Sequence, residues 1–375
     1  MERPSVLGIV SYRIFPAQMG GQKCVDGLYR HLAAHTKVVL AASKDNKEIK
    51  EVPYTVLPFL FDHWKGALNL FYVFRLRKLM VREGIDLIMV EHSYFGWLAL
   101  LLRRLTKKPV VIRSHNIEAH RFRDMRRNWW RLYAMYERWV HRRVDHTFFI
   151  TSEDRDWAIR HWHLKAARCS VLGYGVDLQP DAFTDRRVWM RQQLLNRYQL
   201  RGSMRLFFFN GSFDYPPNID ALRIIITELI PLLRAQGMPV RIVVCGKGLD
   251  HQWEEVLRSY NEIIYAGFVT DIDNYFYGTD CFINPLTLGA GLRIKLVEAL
   301  AHGQTAISTR DGARGIETGL AGDKLVLVND YDWPGFVSEM LRPDLNMYGA
   351  LPSGLREAFN WNNIVQQALL SLRSL

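Results

Sequence analysis

Residues 205–218, RLFFFNGSFDYPPN, run an apolar strand into a glycine-containing turn and on toward a helix. They restart a pattern that the chain has already run once. Just before them, 181–204 is polar and charged and reads as a connection. After them come helix 219–235, strand VRIVVCGKG, helix 251–260, strands EIIYAGFV and CFINPL, a helix within 289–303 and strand TAIST. The first half reads the same way: VLGIVSY, the turn and helix GGQKCVDGLYRHLAAH, KVVLAAS, DLIMVEH, helix YFGWLALLLRRL, PVVIRSH, HTFFITS and CSVLGYGVD. Strands alternating with helices predict parallel α/β sheets. The expected fold is α/β, two Rossmann-like domains facing across a cleft. The expected divisions are 1–180, the connection 181–204, 205–355, and a C-terminal helix 356–375 packing back on the first domain.

Composition narrows the class. The chain has 375 residues, 49% of them hydrophobic and 23% charged, a balance typical of globular proteins. No apolar run approaches the roughly 18 to 20 residues of a membrane span. The apolar part of the opening strand is too short for a signal sequence. Cys24, Cys169, Cys245 and Cys281 show no CxxC spacing and read as small core residues in a reducing compartment, so cytoplasm is expected. Net charge is +11, and residues 101–170 carry 17 Lys/Arg against 7 Asp/Glu, so the excess forms a basic face in the first half.

The stretch 289–303, GAGLRIKLVEALAHG, carries the strongest chemical signal. At 100° per residue, Gly291, Lys295, Glu298 and His302 share one narrow stripe on a helix otherwise apolar all round. On such a helix a polar stripe faces a partner, a buried group or a ligand. Amides at a helix start beside Gly289, Ala290, Gly291 and Leu292 favour phosphate, and Arg293, in the entering turn, and Lys295 add charge. Glu298 can accept from vicinal hydroxyls such as those of ribose. The plainer reading is an i, i+3 Lys–Glu pair on a surface helix.

Other stretches are weaker. Asn210, Gly211 and Ser212 read as a tight turn offering backbone donors to phosphate, or as ordinary turn chemistry. CGKG at 245–248 lacks GxGxxG and is too short for a P-loop. Gly20 and Gly21, between a strand and a helix, suit the floor of a cleft. His115, Asn116 and Glu118 end a strand, where the histidine could touch a sugar hydroxyl or move a proton; an ordinary loop histidine is the alternative. His115/His120 and His161/His163 do not share helix faces as metal ligands would. DID at 271–273 resembles a metal-binding acid pair, but Asp271 reads better as a helix N-cap; no metal site is expected. Segment 120–143 holds eight arginines and six aromatic residues. Trp129, Leu132, Tyr133, Tyr136, Trp139 and Val140 are expected on one helical face, packed on the domain or docked on anionic lipid; no nucleic-acid motif accompanies the charge.

Taken together, the chain resembles the GT-B-fold glycosyltransferases, specifically the family 4 group of retaining, nucleotide-sugar-dependent enzymes. NGSFDYPPNIDAL, GFVTDIDNYFYGTDCFINPL, GAGLRIKLVEALAHGQTAIST and DGARGIE carry the likeness, with weaker matches in GGQKCVDGLYRHLAAH, VLGYGVDL and NWNNIV. The resemblance implies a donor held mainly by the second domain, Glu298 on its ribose and Arg293 and Lys295 on its diphosphate. Gly211, Gly289 and Gly291 would line the phosphate path, Ala313, Arg314 and Gly315 would close a nearby loop, and His115 would touch the transferred sugar. It implies no metal cofactor, a sugar or lipid-linked glycan acceptor, and a peripheral place at the inner membrane face through 120–143. Two positions depart from the family pattern. Ala290 stands where an acid often lies eight residues before Glu298, and NGSFDYPPN replaces the usual Gly-Arg…Lys-Gly pair. The expected activity is sugar transfer with retention in polysaccharide or glycoconjugate synthesis. The competing classes are a non-catalytic sugar-nucleotide or glycan-binding protein and a sugar-nucleotide epimerase, which would need no acceptor.

Overall fold

The computed structural model describes residues 4–17, 19–46, 49, 51–177, 183–289, 291–343, 345 and 351–375. Two compact units are formed, one by Met1–Val176 and Ala358–Leu375 with residues 290–292, the other by Asp177–Gly289 and Arg293–Glu357. In chain order the first contains β1 (Val6–Val10), α1 (Gly20–Ala33), β2 (Val38–Ser43), β3 (Thr55–Leu60), α2 (Val73–Glu83), β4 (Leu87–Glu91), α3 (Gly96–Thr106), β5 (Val110–Ser114), α4 (Glu118–Asp124), α5 (Trp130–His141), β6 (His146–Phe149), α6 (Ser152–Trp162) and β7 (Cys169–Val171). The second contains α7 (Phe183–Arg197), β8 (Arg205–Ser212), α8 (Pro216–Ile224), α9 (Ile230–Ala235), β9 (Val240–Lys247), α10 (His251–Arg258), β10 (Ile263–Gly267), α11 (Asp273–Gly278), β11 (Cys281–Asn284), α12 (Ile294–Ala301), β12 (Thr305–Thr309), β13 (Leu325–Val328) and α14 (Trp333–Leu341). A short helix α13 (Thr318–Ala321) precedes β13, and α15 (Ser353–Ala358) and α16 (Trp361–Arg373) end the chain.

Both sheets are parallel, with strand orders β3-β2-β1-β4-β5-β6-β7 and β10-β9-β8-β11-β12-β13. In each the order reverses once, at β1/β4 and at β8/β11. Loops leaving the carboxyl ends of such a pair diverge, and the gap between them is where open α/β sheets bind ligands. Helices on both faces make the strands apolar throughout rather than alternating. In β8, Phe207 and Phe209 enter the core made with α8, α9 and α14, while Phe208 turns to Phe276 and Phe282 on the other face.

Several expectations need correction. Gly211 and Ser212 belong to β8, paired in register with Gly246 and Lys247, so the turn begins only at Phe213. Asp271 does not cap α11: its N-cap is Ile272, and no side-chain cap bond forms there. Helix 219–235 starts earlier, at Pro216, and carries a π-type turn at Ile225–Leu229 just before Pro231, whose ring and missing N–H disrupt regular i→i−4 bonding. Residues 120–143 form two helices, and their apolar side chains do not share one environment. Val140 is fully buried, whereas Leu132 is 70% exposed.

The final helix packs on the first unit. Trp361 stacks on His31 at 5.6 Å and lies edge-on to Tyr174 at 6.0 Å, over Gly27 and Gly175, where any Cβ would collide with its ring. Val176 N–H donates to Phe359 O at 2.8 Å, fastening the incoming chain. Trp361→Ala is expected to destabilise the first unit by about 3–5 kcal/mol, since the vacated space lies between backbone segments that cannot collapse. Urea unfolding followed by fluorescence of the remaining tryptophans measures this.

Candidate active site

In the second unit the polar groups gather after β8 and β11, the reversing pair. Lys295 lies in the first turn of α12, its Nζ donating to Asn218 Oδ1 at 3.0 Å and standing 4.1 Å above the Phe209 ring. Asn218, buried in the first turns of α8, is itself fixed by donating Nδ2 to Ser212 O at 2.8 Å. Gly211 makes this possible, because a Cβ there would come within 2.7 Å of Asn218 Nδ2. Burial first, and the neighbouring Arg293 second, push the Lys295 ammonium well below the usual lysine range. The Lys295 ammonium thus turns toward α8 and β8. Among the described residues this partly buried ammonium meets an amide oxygen and a ring face, an arrangement that favours an arriving anion.

Arg293 takes the N-cap position of α12 and is 5% exposed. Its Nη2 donates to Gly289 O at 2.8 Å, Leu288 O at 3.2 Å and Asp311 O at 3.4 Å. The guanidinium therefore clasps the glycine loop to the loop after β12. Gly289 has φ 108°, and a Cβ there would lie 2.7 Å from Tyr215 Oη, so both its conformation and its surroundings call for glycine. Ala290 lies outside the described residues. Gly291 (φ 77°) and Leu292 group with the first unit, Gly291 against the Asn116 side chain.

Glu298 is half-buried one turn beyond Lys295. His302, the last member of the stripe, turns to α11: it stacks on Phe276 at 4.8 Å, and its Nε2 is 3.3 Å from Asp273. Beneath the loop at 311–315 lies a polar clamp that the sequence reading missed. Asn284 Nδ2 donates to Gly312 O at 2.6 Å, and Gly312 N–H to Thr309 Oγ1 at 3.0 Å. Ala313 is buried in this loop, while Arg314 is exposed and reaches back to Asp311 at 2.6 Å.

In the first unit, His115 follows β5 and is nearly buried. Its Nε2 meets Glu91 Oε2 at 2.5 Å, and its ring stacks on His92 at 4.1 Å. Burial foremost, then His92, lower the imidazole to about 4, so it is neutral near pH 7. His92 holds a positive φ of 61°, uncommon for a non-glycine residue, and its Nδ1 meets Glu118 Oε1 at 3.0 Å. Burial opposes ionisation of Glu118, but His92, Arg121 and Tyr94 hold its carboxyl far below the usual range. Glu137 accepts from the amides of Glu118 and Ala119 at 2.9 and 3.0 Å, capping α4; burial, with Glu118 nearby, raises it to about 8. Gly20 and Gly21 open α1 after Met19, with nothing within 4 Å of a Cβ built on Gly21. Among the described residues no group of three or more His, Cys, Asp or Glu is arranged to hold a metal ion.

Two reversing parallel sheets, each with polar groups at its carboxyl ends, define the GT-B class of two Rossmann-like domains. The comparisons carry this to a family. Glycosyltransferase Family 4 matches residues 19–180 and Glycosyl transferases group 1 matches 205–342, so the chain belongs to these glycosyltransferases. A Klebsiella pneumoniae protein, described as an uncharacterized 44.6 kDa protein in the cps region, is 21% identical over 313 residues, 78% of this chain and 73% of that one. Sucrose-phosphate synthase from Thermosynechococcus elongatus shares the fold with a TM-score of 0.74 at 18% identity, over 99% of this chain and 98% of its own. Anabaena Alr3699/HepE, solved in complex with UDP-glucose, does so at 0.70 and 15% identity, over 99% and 100%.

Proposed function

We propose that this glycosyltransferase takes its sugar from a nucleoside diphosphate donor bound by the second unit and transfers it, with retention, to a hydroxyl of a growing glycan. The observation that carries the reading is Lys295: a partly buried ammonium that meets Asn218 and, among the described residues, no carboxylate, at the start of α12 and beside the glycine loop. Departure of the nucleotide concentrates negative charge on its outer phosphate, and a cation and helix-start amides already in place stabilise that charge. Arg293 acts by holding the loop in shape. Glu298 takes the ribose hydroxyls, and neutral His115 of the first unit is available to a substrate hydroxyl. Lys295 supplies the cationic role, so the reaction runs without a metal and persists in excess chelator. The binding of UDP-glucose by the Anabaena protein and the cps region of the Klebsiella relative support a nucleotide-sugar donor and polysaccharide synthesis.

A thermal-shift screen against UDP, GDP, ADP, CMP and dTDP and their sugars tests the reading. One nucleotide family is expected to raise the melting temperature, by mass action on the folded state. Stabilisation by none of them, with no transfer from any donor, counts against it. Donor binding without transfer favours the non-catalytic alternative, and an altered free sugar nucleotide favours the epimerase.

We further propose that the protein is cytoplasmic and lies against the inner membrane face, where a lipid-linked acceptor would lie. Among the described residues no helix is long and apolar enough to cross a membrane. On α5, Leu132 and Met135 are each 70% exposed beside Trp129 and Trp139. Nearby, Arg103, Arg104, Lys107 and Arg143 surround a surface pocket with Trp139 and Leu100. Exposed apolar side chains rimmed by cations suit an anionic bilayer. The protein is expected to sediment with vesicles containing phosphatidylglycerol but not with pure phosphatidylcholine, and Leu132→Glu/Met135→Glu is expected to lose that association. Equal sedimentation of the double variant contradicts this placement.

A further inference from the structure

Glu91 ends β4 and is fully buried, one strand away from His115. Its Oε2 lies 2.5 Å from His115 Nε2 and 3.6 Å from Arg113 Nη1. Arg113, also fully buried, is fixed in turn by donating Nη1 to Cys24 O at 3.0 Å and Nη2 to Cys24 Sγ at 2.9 Å. The imidazole is thus held at one edge by Glu91 and on one face by His92. An ionised carboxylate only accepts, so the Glu91 contact requires the proton on His115 Nε2. A neutral ring with Nε2–H carries a bare lone pair on Nδ1, and no described residue bonds that nitrogen.

We propose that Glu91 is a positioning residue: it fixes His115 in the Nε2–H tautomer and so makes Nδ1 an acceptor for a substrate hydroxyl. The proposal rests on the reading above, in which the chain transfers a sugar and His115 is available to a substrate hydroxyl. A purely structural role for Glu91 would be to neutralise Arg113 and join β4 to β5. Such a role would move stability, but neither the tautomer nor the balance between kcat and KM. Glu91→Gln keeps an acceptor oxygen for His115 but removes the counter-charge of Arg113, so it is read beside Glu91→Leu combined with Arg113→Met, which removes both charges.

The experiment is a long-range 1H–15N correlation of the imidazoles in the full chain near neutral pH, the His115 signals being assigned with His115→Gln, alongside steady-state kinetics. The wild type is expected to show His115 protonated on Nε2 and bare on Nδ1. Glu91→Gln, whose amide oxygen still accepts, is expected to keep that tautomer and most of its turnover. In the double variant the tautomer is expected to shift toward Nδ1–H, with kcat falling at least about 100-fold and donor KM changing less than about threefold. A wild-type His115 protonated on Nδ1 overturns the proposal. So does a folded double variant with wild-type kcat, or one that loses turnover while its tautomer stays unchanged. If the wild type turns over no nucleotide sugar, the donor reading fails, and the tautomer measured on the same samples still decides whether Glu91 sets it.

Discussion

Lys295→Ala is expected to lower sugar transfer by about 100- to 1,000-fold while the protein stays folded, the effect of removing one pre-placed donor at a developing charge. The folded state loses little, because a desolvated ammonium that meets no carboxylate among the described residues opposes folding rather than supporting it. Its contacts are one amide oxygen and one ring face. The sign of the pH dependence follows from its lowered pKa. Below that value Lys295 is charged in both folded and unfolded chains, and the desolvation penalty is felt in full. Between that value and the unfolded lysine value, about 10.4, the folded protein has released the proton while the unfolded chain keeps it, so this residue makes stability rise with pH. The alanine variant should lack that rise. Donor affinity should run the other way, falling as pH increases through the lysine's value in the free protein, with proton uptake on binding. Calorimetry in buffers of different ionisation heat checks the uptake; wild-type turnover in the variant removes Lys295 from the phosphate.

Arg293→Lys should be nearly as damaging as Arg293→Ala, lowering kcat/KM by about 10- to 100-fold, or about 1.4–2.7 kcal/mol. One guanidinium nitrogen reaches the carbonyls of Leu288, Gly289 and Asp311 together, which a compact ammonium on a different stem cannot reproduce. Charge is conserved in the lysine variant, so its failure separates holding the loop from neutralising phosphate. Steady-state kinetics of both variants decide the matter: a lysine enzyme close to wild type would mean that Arg293 acts by charge alone.

The alternation of strands and helices made both parallel sheets legible, because strands buried on two faces are apolar throughout and Gly/Pro turns punctuate them. The fresh strand at 205 marked a second sheet for the same reason. β3 was not legible: Thr55–Leu60 contains Pro58 and is mostly partly exposed, as an edge strand permits. Helical periodicity placed Lys295 and Glu298 on the stripe of α12. It could not supply Asn218, which meets Lys295 across 77 residues of chain through the pairing of β8 with β11. Asn284 and Thr309 were missed in the same way, since their hydrogen bonds depend on which strand ends are neighbours. Glu91 looked like the end of an ordinary strand until parallel pairing set it beside Arg113 and under His115. Gly211 was misread as a turn because a glycine after a phenylalanine run signals one; here it stays in the strand and makes room for Asn218.

The central claim is that Lys295 and the start of α12 meet the outer phosphate of a nucleoside diphosphate. Its most direct test is calorimetric titration of the wild type and Lys295→Ala with the nucleoside diphosphate picked out by the thermal-shift screen and with the matching monophosphate. The account predicts at least about tenfold tighter binding of the diphosphate by the wild type, roughly 1.4 kcal/mol, and loss of most of that preference in the variant. Equal preference in the two proteins would contradict it.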